Sequence, residues 1–298
     1  MSLTFKTKLD PSSRIFVELK SGKYPWWDNI KNNKNISIQV RKGNTLDVYY
    51  NGGAILNDLR YNDAEQAFTA CIHPKYIPLK DESQYKSLTL SANGVEFTGT
   101  IDAMELSQLE GAKLKAIMNR VKKYYDSGSE KAIQYQFVAN DPYIIDTEFQ
   151  IKKQRIDLVR LDERAKKIVL IEVKTTGDRR LFAESGKGKE NIRDQFKKYY
   201  EFFGYYQQSI IDYYVKVLQI KKDLGLAGPG VKKLTINDWQ IEWKPLLVFG
   251  DCEQAWIDKN AADIDRKLWG VAYGAYYFGE PKYPLNLLKK SRKNQHVF

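Results

Sequence analysis

The 298-residue chain is 43% hydrophobic and 29% charged, and its 48 Lys and Arg against 37 Asp and Glu give a formal net charge of +11 and a pI near 9.3. That is enough apolar content to bury a core in one or two domains, and the cationic excess favours a polyanionic partner, nucleic acid being the natural one. Two cysteines, Cys71 and Cys252, and two histidines, His73 and His296, exclude a zinc ribbon, a disulfide scaffold, a His-Glu-x-x-His zinc site and two-histidine phosphodiester chemistry. No stretch approaches the ~20 apolar residues of a membrane span and no signal-peptide pattern opens the chain, so a cytoplasmic protein without a membrane partner is expected.

Residues 1–126 read as a β-rich region ending in a helix. Asn35–Arg41 and Thr45–Tyr50 alternate apolar and polar in the strand manner, with Lys42-Gly43-Asn44 as the turn between them. Asn51-Gly52-Gly53 turns into a third strand, Ala54–Leu59. A further strand pair is predicted around Ser87–Ile101, broken at Asn93-Gly94, and Ala103–Tyr125 has helical spacing, with Leu106, Leu109, Leu114, Ile117 and Val121 near one stripe. Trp26, Trp27, Tyr49, Tyr50 and Tyr61 are the materials of a stacking surface for substrate recognition. Aromatic residues in a β meander also serve as core. Ser127-Gly128-Ser129 is the best break in the chain and opens a second region, 127–298.

Ser129–Val138 is predicted as a short helix capped by Ser127 or Ser129 and stopped by Asn140-Asp141-Pro142. Ile144–Ile151 follows as a strand, then Gln154–Val159 as a second, a turn over Leu161–Lys166, and Lys167–Lys174 as a third. A hairpin closing near Asp162-Glu163-Arg164 brings Asp157 beside Glu172 and Lys174, which share a face because side chains alternate along a strand. The continuously apolar run Ile168–Ile171 implies burial on both faces, so the charges at its end line a cleft. Two carboxylates make a hard oxygen site suited to Mg²⁺ or Mn²⁺, and a lysine beside it can orient an attacking water or stabilise developing charge. The competing role for Asp157 is a surface pair with Arg155 or Arg160; for Glu172 and Lys174 it is an ordinary ion pair. Arg179, Arg180, Lys187 and Lys189, in the loop after the third strand, are placed to contact phosphate. A helix at Asn191–Tyr199 sets Gln195 and Tyr199 one turn apart, and Pro245–Phe249 is a last strand. Lys289-Lys290-Ser291-Arg292-Lys293 is a basic tail.

An Asp, a spacer and Glu-x-Lys on adjacent strands resemble the signature of the PD-(D/E)XK, or restriction-endonuclease-like, nucleases. The members here are Asp157, Glu172 and Lys174, though Ile156 stands where the family name has proline. Gln195-x-x-x-Tyr199 resembles the helix motif of RecB-like and NucS-like members. The resemblance covers residues 128 to 250, with the order helix, three-strand meander, helix, strand. It implies an α/β (α+β) restriction-endonuclease-like core and a divalent-metal-dependent nuclease acting on DNA ahead of RNA. By the same resemblance, Asp157, Glu172 and the Val173 carbonyl hold the metal, Lys174 assists the water and Gln195 orients a ligand, with Tyr199 near the nucleic acid. A helix-borne carboxylate completes the site in NucS-like members, and Glu130 sits at the matching place; Glu148 is the alternative. A non-catalytic nucleic-acid-binding module with the same fold, and homodimerisation, both stay open.

Overall fold

The computed structural model describes residues 8–72, 76, 86–91, 94–97, 111–125, 129–183, 191–279 and 295–297. Among these residues eight α-helices and two six-stranded sheets make an α+β protein. None of the helices is long and apolar enough to cross a membrane. The chain divides into two compact units, one built chiefly from Ser127–Val215 and Gly228–Phe298, the other from Thr7–Asp126 with Lys216–Ala227.

The N-terminal unit opens on two helices that the strand-dominated reading does not contain, α1 (Arg14–Lys20) and α2 (Pro25–Lys31). An Asp10 turn, whose carboxylate accepts from the Ser12 amide at 2.9 Å, leads into α1, and Pro25 occupies the first turn of α2, where its missing N–H is no loss. Trp26 and Trp27 belong to the core, at 3% and 1% exposure. Trp26 packs edge-on against Phe68, with centroids 5.4 Å apart, so neither indole belongs to an exposed stacking surface. The sheet is an antiparallel meander in the order β1 (Ser37–Arg41), β2 (Thr45–Tyr50), β3 (Gly53–Asn62), β4 (Ala67–Ile72), β5 (Lys86–Ser91) and β6 (Gly94–Phe97). Asn44, at φ 59°, closes the first hairpin in the left-handed region that asparagine tolerates. The strand β4 was not expected. The helix predicted from Ala103 is described from Gly111, as α3 (Gly111–Tyr124), with Leu114, Ile117 and Val121 buried as the stripe requires.

The second unit begins with α4 (Glu130–Asn140), whose cap is Ser129, accepting from the Ala132 amide at 3.2 Å. Strands β7 (Ile144–Ile151), β8 (Gln154–Asp162) and β9 (Lys167–Lys174) form an antiparallel meander. Strand β8 runs on to Asp162, three residues past the predicted Val159, because Leu161 and Asp162 are buried and pair with Ile168 and Lys167. Then come α5 (Ile192–Tyr205), α6 (Gln207–Asp223), α7 (Pro229–Lys232), β10 (Gln240–Phe249), α8 (Gln254–Leu268), β11 (Gly274–Phe278) and β12 (Gln295–Val297). The sheet order is β12-β11-β10-β9-β8-β7, and β9 to β12 pair in parallel. Helix, three strands, helix and strand thus occur in the expected order, with α6 and α7 inserted before the last strand.

Strand β9 is buried along nearly its whole length because both faces are covered. One face packs Val169, Ile171 and Val173 against Ile133 and Phe137 of α4, with Leu158, Leu246 and Val248. On the other face of β10, Leu247 and Phe249 meet Ile192 and Phe196 of α5 and Ile257 and Ile264 of α8. Burying each such side chain stabilises the fold by about 1.5–3 kcal/mol. This sandwiching fixes the end of β9, where the charged residues sit.

Candidate active site

The β8–β9 hairpin is in register from Asp162↔Lys167 to Leu158↔Ile171, which leaves Asp157 and Glu172 as the next residues along. On the far edge of β9, Leu247, Val248 and Phe249 run parallel beside Glu172, Val173 and Lys174. The strand ends are thereby enclosed, and Asp157, Glu172 and Lys174 are 4%, 3% and 1% exposed. Asp157 accepts from the Val173 amide at 2.8 Å. The Lys174 ammonium donates to Glu172 Oε1 at 2.6 Å and to the Val173 carbonyl at 3.0 Å. It also lies 3.7 Å from Glu130 Oε2 and 4.0 Å from Asp178 Oδ2. From α5, Gln195 Nε2 donates to Glu172 Oε1 at 2.6 Å and to the Tyr199 hydroxyl at 2.8 Å, which in turn donates to the Arg155 carbonyl at 2.7 Å.

The charge in this cluster does not balance, because the carboxylates of Asp157, Glu172 and Glu130 act on one ammonium. Burial, reinforced by Glu172, pushes the Asp157 carboxyl well above the usual carboxylate range, against the pull of Lys174. Burial also raises Glu172, with Lys174 opposing. Burial alone would pull the Lys174 amine down, but Glu172, Asp157 and Glu130 outweigh it and lift the amine above its ordinary value. One oxygen of the cluster, Glu172 Oε2, is buried without a hydrogen-bond partner. Such an oxygen is expensive to leave unmet, at about 1–3 kcal/mol or more for a charged group.

No family model, curated protein or solved structure matches this chain. The chemistry of the cluster itself is therefore what speaks for its role. Among the described residues no group of three or more His, Cys, Asp or Glu side chains is arranged to hold a metal ion by itself. The expected set is two carboxylates and one carbonyl, and these residues fit a hard divalent cation. All three donors are oxygens, both carboxyls are held above their ordinary range chiefly by burial, and Glu172 Oε2 is unmet. Lys174 occupies two of these oxygens, Glu172 Oε1 and Val173 O, as an internal cation.

The remaining expected residues separate into those at the centre and those away from it. Glu130, at the start of α4, reaches Lys174, whereas Glu148 is ion-paired with Lys131 and lies 3.5 Å from Arg155. Of the two alternatives left open in the sequence, Glu130 is the one brought near Lys174. The surface partners considered for Asp157 are engaged elsewhere, Arg155 with Glu148 and Arg160 with Asp141 at 2.7 Å. Arg180 is half-buried, with 38% of its side chain exposed, and its guanidinium bonds both oxygens of Asp178 and reaches Gln195 Oε1 at 3.4 Å. Of the two arginines Arg179 is the more exposed. Tyr199, expected near nucleic acid, is 5% exposed and positions Gln195. Lys187 and Lys189 lie outside the described residues, as does the basic tail.

Two acids escaped the sequence reading. Asp178 caps the 3₁₀ turn Arg179–Leu181 through the Arg180 amide, and although burial works against it, Arg180 holds its carboxyl below the usual range. The Asp-x-Arg spacing was the available signal. Asp251 accepts from the Thr176 amide and hydroxyl, both at 3.2 Å, and burial raises its carboxyl. Its place just past β10 follows from the parallel register, which sets Phe249 beside Lys174.

Proposed function

We propose that this chain is a divalent-metal-dependent nuclease of the PD-(D/E)XK kind, hydrolysing phosphodiester bonds in DNA ahead of RNA. The observation that carries the reading is the buried, carboxylate-rich end of β8 and β9, with Glu172 Oε2 unmet beside Lys174. Asp157, Glu172 and the Val173 carbonyl would hold Mg²⁺ or Mn²⁺. When bound, such a cation polarises a phosphoryl oxygen and acidifies water. The remaining steps belong to side chains of this chain. Lys174, once its hold on Glu172 is relaxed, presents a cation to the scissile phosphate and to the water that attacks it. Gln195 fixes the Glu172 carboxylate through Oε1, and Arg180 and Tyr199 fix Gln195. Glu130 supplies a carboxylate at the solvent side of Lys174, its side chain being one-third exposed.

A second reading has its own support, since Lys174 bonded to Glu172 and Val173 O also describes a closed ion network in a non-catalytic nucleic-acid-binding module. Calorimetric titration of Mn²⁺ into the wild type and the Asp157→Ala and Glu172→Ala variants separates the two, with plasmid and single-stranded DNA incubated in parallel. The nuclease reading expects metal binding and cleavage in the wild type, both lost in the variants, while DNA binding persists or strengthens as negative charge is removed. Full cleavage by Asp157→Ala would sink it. Absence of Mn²⁺ binding with DNA still bound would establish the second reading instead.

A further inference from the structure

Helix α3 reads GAKLKAIMNRVKKY, five basic residues and no acid in fourteen. It buries Leu114, Ile117, Met118 and Val121 in its own unit and exposes Lys115, Asn119, Lys122 and Lys123. Lys122 and Lys123 stand in the last turn, where the negative end of the helix dipole favours cations. Lys113 and Lys115 stand earlier in the helix. The helix dipole thus accounts for the C-terminal lysines. No carboxylate on the helix neutralises either group. At 1.5 Å per residue, Lys115 and Lys122 are about 10 Å apart along the axis, and phosphates on one strand of a duplex recur about every 3.4 Å. The exposed face therefore spans about three nucleotides of backbone.

We propose that α3 is a phosphate-contacting helix, which holds the backbone of a nucleic acid without reading its sequence. Lysine ammonium groups act here as point charges that displace condensed counterions, and the bidentate arginine or asparagine contacts that read base edges are not required. The inference rests on the nuclease reading only for the identity of the polyanion, and it uses none of the carboxylate cluster.

The test is binding of a fluorescein-labelled DNA duplex by the full chain, without divalent metal, over a series of NaCl concentrations. Three proteins are compared: wild type, Lys115→Gln/Lys122→Gln/Lys123→Gln, and a control with the same charge loss elsewhere, Lys232→Gln/Lys233→Gln/Lys259→Gln, all at exposed positions. The α3 variant is expected to show a log K against log salt slope shallower by about 2–3, and at least about tenfold weaker binding near 0.1 M salt. The control should stay within about threefold of wild type. Should the triple variant unfold, Lys122→Gln/Lys123→Gln is read in the same way, with about two-thirds of the change. An unchanged slope, an equal loss in both triple variants, or no duplex binding by wild type would overturn the inference. So would a loss confined to anionic phospholipid vesicles. Metal-dependent cleavage by the same proteins reports separately on the nuclease reading: a slope change without any cleavage leaves α3 standing and removes that reading.

Discussion

Strand β8 carries charge into two buried clusters, and they are built on different principles. Arg160 meets Asp141 at 2.7 Å, donates to the Leu161 carbonyl at 3.1 Å and stacks over the Tyr143 ring, so one guanidinium answers one carboxylate. Asp157 lies on the opposite face of the same strand, among carboxylates that outnumber their lysine. The first arrangement satisfies its charges within the protein; the second leaves Glu172 Oε2 unmet and both strand carboxyls raised. Burial of charge therefore does not distinguish structure from function in this molecule. On the proposed reading the imbalance does, because surplus buried negative charge favours taking up a cation or a proton.

The sharpest way to break this contrast is to neutralise one acid in each cluster. Asp157→Asn or Glu172→Gln should lower metal-dependent cleavage by about a thousandfold or more, about 4 kcal/mol of activation free energy, with the fold retained. Arg160→Leu should do the reverse, lowering stability in urea by about 3–5 kcal/mol through the stranded Asp141 while cleavage per folded molecule stays near wild type. Loss of cleavage in Arg160→Leu without loss of stability would erase the distinction.

A smaller effect separates the two candidate auxiliary acids. Glu130→Gln should reduce cleavage by about 100-fold, the lower end of the usual scale for a positioned proton-transfer group. Glu148→Gln, which releases Lys131 and Arg155, should change cleavage by no more than about threefold.

The smallest effect is on pH dependence. Asp157 and Glu172 bind protons more tightly folded than unfolded, so their contribution to stability is greatest in acid and falls as pH rises past the unfolded carboxylate range near 4. Asp178 works in the opposite sense, its contribution being lost as pH falls. Comparing urea midpoints of wild type and Asp157→Asn cancels the Asp178 part. The variant should gain on wild type as pH rises from about 4, and Mn²⁺ should close that gap. A difference that stays constant with pH would show Asp157 to be ionised at no cost.

Much of this contrast was legible in the chain. Period-two alternation and the apolar run Ile168–Ile171 located the hairpin, and strand parity placed Glu172 with Lys174. What stayed hidden depended on tertiary partners. Nothing local says that Glu148 goes to Lys131 and Glu130 to Lys174, or that Arg180 bonds Asp178. The seven-residue helices α1 and α2 are too short for a periodic signal, and their aromatic residues read as surface chemistry until Phe68 packs against Trp26. Strand β4 is brief and lacks a tight turn signal of the Asn-Gly kind.

The parallel seam between β9 and β10 also sets an order of events during folding. Asp157 and Glu172 are joined by a hairpin that closes a short loop, whereas Phe249 reaches Lys174 only after some 75 residues of intervening chain are in place. Local closure of this kind is fast and long-range pairing slow. The acids can therefore come together while still hydrated, and the electrostatic penalty of their burial arrives with the docking of β10. That step should be the one slowed at high pH, and the amides joining β9 to β10 should gain protection from hydrogen exchange later than those of the β8–β9 hairpin.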